Sequence, residues 1–148
     1  MNRIRARGSR RPLAKSDFEA LAQFRYQLRR FLRFSEDVSL SHGVTALQYQ
    51  LMLQIKGFPG RDWASVTELA ERLQAKHHGV VALVSRCEAL GLVKRQASTS
   101  DLRQVEVRLT AAGERCVDML AGVHRDELES LQGLLGMPGL AETLERRT

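Results

Sequence analysis

Apolar residues recur every three or four positions through Phe18, Leu21, Ala22, Phe24, Leu28, Phe31 and Leu32. That spacing predicts an amphipathic helix from about Ser16 to Val38, with Ser16 or Asp17 as N-cap and Glu19 in an acidic first turn that suits the helix dipole. After a loop at 39–45, Leu47, Leu51, Met52 and Ile55 repeat the pattern over a second helix ending near Lys56. Gly57-Phe58-Pro59-Gly60 cannot continue it. Two shorter periodic segments follow, Val66–Leu73 with Val66, Leu69, Ala70 and Leu73 inward, and Lys76–Leu90 with Val80, Leu83, Val84, Cys87 and Leu90 inward. Ser65 and Glu68 have the spacing of a capping box, and Gly91 supplies a left-handed C-cap.

The period then changes from helical to alternating. Residues 92–96 and 104–109 read as two strands around the tip 97–103, with Val105, Val107 and Leu109 expected inward and Gln104, Glu106 and Arg108 outward. Thr110 caps a last long helix lined by Cys116, Met119, Leu120, Val123, Leu128, Leu131, Leu134 and Leu135. Gly136-Met137-Pro138 breaks it before a short helix at 140–147. Helix, turn, helix and hairpin make a winged helix-turn-helix at 45–110, with Trp63 expected to pack on it. The fold class is mainly α with a small β-wing. The apolar faces at 16–44 and 111–148 exceed what one winged helix can cover, which predicts that these helices join two copies in a homodimer.

Composition narrows the function. Among 148 residues, 43% are hydrophobic, enough for a core, and 5% are aromatic, too few for a stacking platform for single strands. The net charge of +6 favours a polyanionic partner. Residues 1–15 carry Arg3, Arg5, Arg7, Arg10, Arg11 and Lys15 without an acidic residue, the composition of a disordered basic arm able to follow phosphates or enter a minor groove. No apolar run approaches the roughly 20 residues of a membrane span, so a cytoplasmic protein, associated with the nucleoid, is expected.

The segments Leu69-Ala70-Glu71-Arg72-Leu73, Leu83-Val84-Ser85-Arg86-Cys87-Glu88-Ala89-Leu90-Gly91-Leu92-Val93, Asp101-x-Arg103 and Leu109-Thr110-x-x-Gly113 follow in order. Each is weak alone. Together they resemble the MarR family of transcriptional regulators over roughly residues 45–120. The resemblance implies an α-rich winged-helix homodimer whose two recognition helices enter successive major grooves about 34 Å apart, hence a palindromic operator. It also implies a regulator, more often a repressor, and a cleft between dimer helices and DNA-binding lobe for a small aromatic or anionic effector. Arg25, Arg29, His42, Tyr49 and Trp63 are the residues expected to border that cleft.

The recognition helix departs from the family pattern, with Lys76 where a hydroxyl cap is usual and His77, His78, Gly79, Val81 and Ala82 after it. Lys76 can reach phosphate or guanine, the histidines can donate to G O6/N7 or T O4, and Val81 or Ala82 can meet a thymine methyl, while Gly79 allows close approach. In the wing, Arg103 matches the family arginine of the minor groove, and Asp101 is expected to orient it or to pair with Arg86. Arg86, Arg95, Ser98, Thr99 and Ser100 are expected to bond phosphates or brace the wing.

Other chemistries are poorly supported. Adjacent helical histidines diverge by about 100°, whereas paired zinc ligands on a helix sit at i and i+4, so no metal or cofactor is expected. Cys87 and Cys116 lie in apolar helical positions and read as inert thiols of a reducing compartment. No catalytic motif is present, so no enzyme is expected. The alternative is a winged helix used for protein contact or for nonspecific, architectural DNA binding, which the polar-poor Val81 and Ala82 would suit.

Overall fold

The computed structural model describes residues 12–131. The arm to Arg11, Leu134, Leu135, the break at 136–138 and the helix expected at 140–147 lie outside the described residues. Residues 31–130 form one compact unit, and the described residues 12–30 with Leu131 belong to a second.

Eight elements follow in order: α1 (Lys15–Ser41), α2 (Ala46–Lys56), β1 (Trp63–Ala64), α3 (Val66–Leu73), α4 (His77–Ala89), β2 (Val93–Ala97), β3 (Val105–Leu109) and α5 (Ala111–Leu131). The three strands make one antiparallel sheet in the order β1-β3-β2. The core of the larger unit is built from Leu51, Met52 and Ile55 of α2, Leu69 of α3, Val80, Leu83, Val84 and Cys87 of α4, Val93 and Val107 of the sheet, and Val117 and Leu120 of α5. Each such side chain contributes roughly 1.5–3 kcal/mol on burial.

Local chemistry explains the boundaries. Helix α1 starts one residue earlier than the pattern suggests, because neither Ser16 nor Asp17 is its cap. The Ala14 carbonyl accepts from the Asp17 and Phe18 amides at 3.0 and 3.4 Å, and the Ala14 amide donates to the Asp17 carboxylate at 2.8 Å. Asp17 thus acts from the third helical position. The helix also runs on to Ser41, so that its loop is short, and His42 Nδ1 donates to the Val38 carbonyl at 2.7 Å.

Two capping boxes start α2 and α3. Thr45 and Gln48 exchange bonds at 3.1 and 2.9 Å, and Ser65 and Glu68 at 3.2 and 3.1 Å. The first of these turns Gln48 inward beside Tyr49, and Leu47, expected in the core, is exposed instead. Helix α4 ends with the Leu92 amide on the Cys87 carbonyl and the Gly91 amide on the Glu88 carbonyl at 3.0 and 2.9 Å, with Gly91 at φ +74. This is the paired closure that a left-handed residue allows.

Alternation in the last strand fails at two places. Val105 is exposed, and Glu106, expected outward, is only 6% exposed. Its partner lies two residues on, where strand geometry returns to the same face. Arg108 Nε and Nη2 donate to one Glu106 oxygen at 2.9 and 2.7 Å, and Nη1 donates to Asp62 at 2.9 Å. Strand β1 was not expected. Trp63 pairs with Arg108 and Ala64 with Val107, so Trp63 lies on the outer face, under the Arg61 guanidinium at 3.8 Å.

Helix α5 opens as expected on Thr110, whose Oγ1 accepts from the Gly113 amide at 3.1 Å and donates to the Gly91 carbonyl at 2.6 Å. Its buried side is Val117, Leu120 and His124, whereas Met119 and Leu128 are exposed. His124 is tolerated inside because both ring nitrogens are bonded, Nδ1 to the Leu120 carbonyl at 2.7 Å and Nε2 to Ser35 Oγ at 2.8 Å. Tyr49 stacks on it with ring centroids 4.3 Å apart, and Phe31 and Phe34 meet it edge-on. On α1, Phe18, Leu21, Tyr26, Leu32 and Leu40 are exposed.

Candidate nucleic-acid interface

Helix α4 buries Val80, Leu83, Val84 and Cys87, and the 3.6-residue period leaves His77, His78, Gly79, Val81, Ser85 and Arg86 exposed, with Ala82 half-buried at the margin. Lys76 holds the N-cap position with no side-chain cap hydrogen bond. A hydroxyl there would occupy an amide of the first turn. Lysine leaves those amides, at the positive end of the helix dipole, available to an anion.

The wing tip is a tight, internally bonded turn. The Ser98 amide donates to the Gln104 carbonyl and the Gln104 amide to the Asp101 carbonyl, both at 3.0 Å. Ser98 Oγ accepts from the Ser100 and Asp101 amides at 3.3 and 3.2 Å, and Ser98 is 1% exposed. The expectation that Ser98 bonds phosphate is therefore corrected: its hydroxyl braces the tip from inside. Asp101 Oδ1 accepts from the Arg103 backbone amide at 3.0 Å. Thr99, Ser100, Leu102 and Arg103 remain exposed.

Arg95 also departs from a phosphate role. Its guanidinium donates to Glu88 at 3.2 Å, to the Val81 carbonyl at 3.2 Å and to Ser85 Oγ at 2.9 Å, while its amide donates to the other Glu88 oxygen at 3.0 Å. One side chain in β2 thus grips α4 at three points. It ties α4 to β2. The side chains of Lys76, Arg86 and Arg103, in contrast, meet no acidic partner among the described residues.

Between the recognition helix and the wing lies a cleft of about 510 Å³. It is lined by Ser65, Val66 and Thr67 at the start of α3, His77 of α4, and Asp101, Arg103, Gln104 and Val105 of the wing. His77 and Arg103 thereby share one concave surface. Thr67 and Gln104 were not foreseen as lining residues. The only hint was the capping box, which marks where a helix N-terminus lies but not what it faces.

The residues proposed to border an effector cleft are dispersed among separate tasks. His42 closes α1, Tyr49 is buried against His124 with its hydroxyl pKa raised by that burial, and Trp63 supports Arg61. Arg25 and Arg29 belong to the other unit. Cys87 is fully buried and its thiol is pushed up to about 11, by burial first and by Cys116 second. Burial raises Cys116 as well. Neither thiol is in the electropositive setting that makes a cysteine reactive.

Known proteins share this arrangement. No curated protein sequence matches the chain significantly. Among solved structures, the MarR-family regulator AbsC from Streptomyces coelicolor is 20% identical with a TM-score of 0.70, covering 93% of each chain. MepR, a transcription regulator of the Staphylococcus aureus multidrug efflux pump MepA, is 17% identical with a TM-score of 0.66, over 91% of this chain and 93% of that one. A MepR variant bound to an oligodeoxyribonucleotide is 18% identical with a TM-score of 0.62, over 92% and 94%. At such identities these likenesses establish the fold. The MarR family model itself matches residues 42–104, the stretch from the loop before α2 to the wing. Residues 42–104 thus match the MarR family of transcriptional regulators, and the chain shares the winged-helix fold of that family's solved structures.

Proposed function

We propose that the chain acts as a homodimeric transcriptional repressor that reads a palindromic operator and is released by a small aromatic or anionic effector. The observation that carries the DNA-binding surface is the exposure of Lys76 and Arg86 of the α4 segment and Arg103 of the wing, none with an acidic partner among the described residues, while His77 and Arg103 line one cleft. Uncompensated cations along one surface are the footprint of a phosphate backbone. Lys76, His77, His78 and Val81 read base edges in the major groove, with Gly79 and Ala82 permitting close approach. Arg103 enters the minor groove, and Thr99, Ser100 and Arg86 hold phosphates.

The dimer is supported by the exposed apolar side chains Phe18, Leu21 and Leu32 of α1 and Met119 and Leu128 of α5, more than a monomer ordinarily leaves in water. A two-fold pair of reading heads then calls for half-sites about one DNA turn apart. Among the described residues no helix is long and apolar enough to cross a membrane, which is consistent with work in the cytoplasm.

Selection of bound fragments from genomic DNA, at physiological salt with excess competitor, tests this reading. A recovered palindrome with half-sites one turn apart is the expected result. Fragments without a motif, bound with affinity that collapses as salt rises, would favour an architectural or protein-contact role instead. The effector is tested on the same complex by adding small aromatic carboxylates such as benzoate and following release of the DNA.

A further inference from the structure

Leu102 is 87% exposed, the most exposed large hydrophobic side chain among the described residues. It lies outside the hydrophobic core cluster, so the fold does not need it. Its setting is unusual for a surface leucine. It stands at the tip of the wing, between Asp101 and Arg103.

The tip also holds it firmly. Residues 98–104 are closed by the Ser98–Gln104 and Gln104–Asp101 backbone bonds, by Ser98 Oγ on two amides, and by the Asp101 carboxylate on the Arg103 amide. A preorganised tip loses little further freedom on binding, so a contact made there is retained almost undiminished. Asp101, the one acidic side chain at the tip, has an oxygen engaged by the Arg103 amide, and the two residues beyond it are an exposed leucine and an exposed arginine whose guanidinium meets no acidic partner among the described residues.

We propose that Leu102 is an apolar wedge that enters the minor groove beside Arg103 and partly unstacks one base step, so that each wing kinks the DNA. The inference rests on the DNA-binding reading above and extends it to the shape of the DNA. If Arg103 lies in the minor groove, the neighbouring residue at the same tip reaches the same groove. A leucine there finds apolar surface only between base planes, which is how minor-groove proteins use leucine, isoleucine and phenylalanine. Pyrimidine–purine steps such as TA or CA unstack most easily, so the operator should carry one under each wing.

The test uses the full chain and the duplex recovered by genomic selection, with 2-aminopurine placed at the step under the wing and donor and acceptor dyes at the duplex ends. Binding of the unaltered chain should raise 2-aminopurine fluorescence and shorten the end-to-end distance. Leu102→Ala should abolish both changes and weaken binding about tenfold with an unchanged salt slope, whereas Leu102→Phe should preserve both. Arg103→Ala should instead lower the salt slope by about one phosphate equivalent. Unchanged affinity, fluorescence and bend in Leu102→Ala would overturn the wedge while leaving the DNA-binding reading intact. Failure of the unaltered chain to bind any duplex specifically would overturn both.

Discussion

The carbonyl oxygen of Leu92 occupies the place where a side chain at position 113 would begin. A Cβ built on Gly113 would lie 2.0 Å from that oxygen and 3.0 Å from the Leu92 carbonyl carbon. The same carbonyl accepts the Thr110 amide at 3.0 Å, so the start of α5 is fastened to the turn between α4 and β2 by a hydrogen bond and a close backbone approach together. Both obstructing atoms are backbone and cannot turn aside. Gly113→Ala should therefore cost about 3 kcal/mol or more, at the upper end of overpacking effects, measured as a lower urea midpoint. A midpoint within experimental error of the unaltered protein would show that α5 can shift freely against Leu92.

Gly79 presents the opposite case. Nothing lies within 4 Å of a Cβ built there, and the residue is exposed on the first turn of α4. Gly79→Ala should stabilise the fold by ~0.5–1 kcal/mol through helix propensity. The added methyl faces the proposed major groove, so operator affinity should fall by about tenfold even as stability rises. Opposite signs in urea unfolding and in DNA titration would separate the two roles. Stabilisation with undiminished affinity would remove Gly79 from the interface.

Arg95 distinguishes a strut from a phosphate contact. Its guanidinium spans Glu88, the Val81 carbonyl and Ser85 from the neighbouring strand, all at a partly exposed site. Arg95→Ala should cost only about 1 kcal/mol of stability, as expected where solvent screens the ion pair. Operator binding should weaken while its salt dependence is unchanged, because no phosphate partner is lost. Arg95→Lys should rescue little, since an ammonium cannot reproduce the three-point fork. A reduced salt slope in Arg95→Ala would return Arg95 to the backbone-binding set.

Which of these features could be read from the chain depends on how local their causes are. The bounds of α3 follow from Ser65, Glu68 and the apolar spacing, and the end of α4 from Gly91, all within a few residues of the feature they specify. Strand β1 has two residues, too few to show alternation, and exists because Trp63 and Ala64 pair with Arg108 and Val107 far along the chain. Glu106 is buried against the pattern because the Arg108 guanidinium, two residues on, bonds its carboxylate through Nε and Nη2. The face of α5 turns toward His124 because Ser35 and the Leu120 carbonyl satisfy that ring. In the interface, the exposed positions of α4 follow from its period. The inward turn of Ser98 and the grip of Arg95 depend on partners that no local pattern announces. The Thr110-x-x-Gly113 motif was visible as a resemblance, and its reason is the Leu92 carbonyl.

Cys87 supplies a prediction in pH. Its thiol is fully buried, and burial pushes it up from the ordinary thiol value of 9.0 to about 11. Below pH 9 the thiol is protonated in both states and stability does not depend on it. Between pH 9 and 11 the unfolded chain loses the proton while the folded chain keeps it, so stability falls as pH rises, by roughly 1.4 kcal/mol per unit. Tyr49, also raised by burial, acts in the same direction, which makes the difference between proteins the useful quantity. Cys87→Ala should lower stability at pH 8 through the small cavity it leaves, yet show a shallower decline from pH 9 to 11. Equal slopes in the two proteins would mean that the buried thiol is not what resists ionisation. In the native protein at pH 8, a thiol reagent such as DTNB should modify Cys116, which is half-buried, well before Cys87.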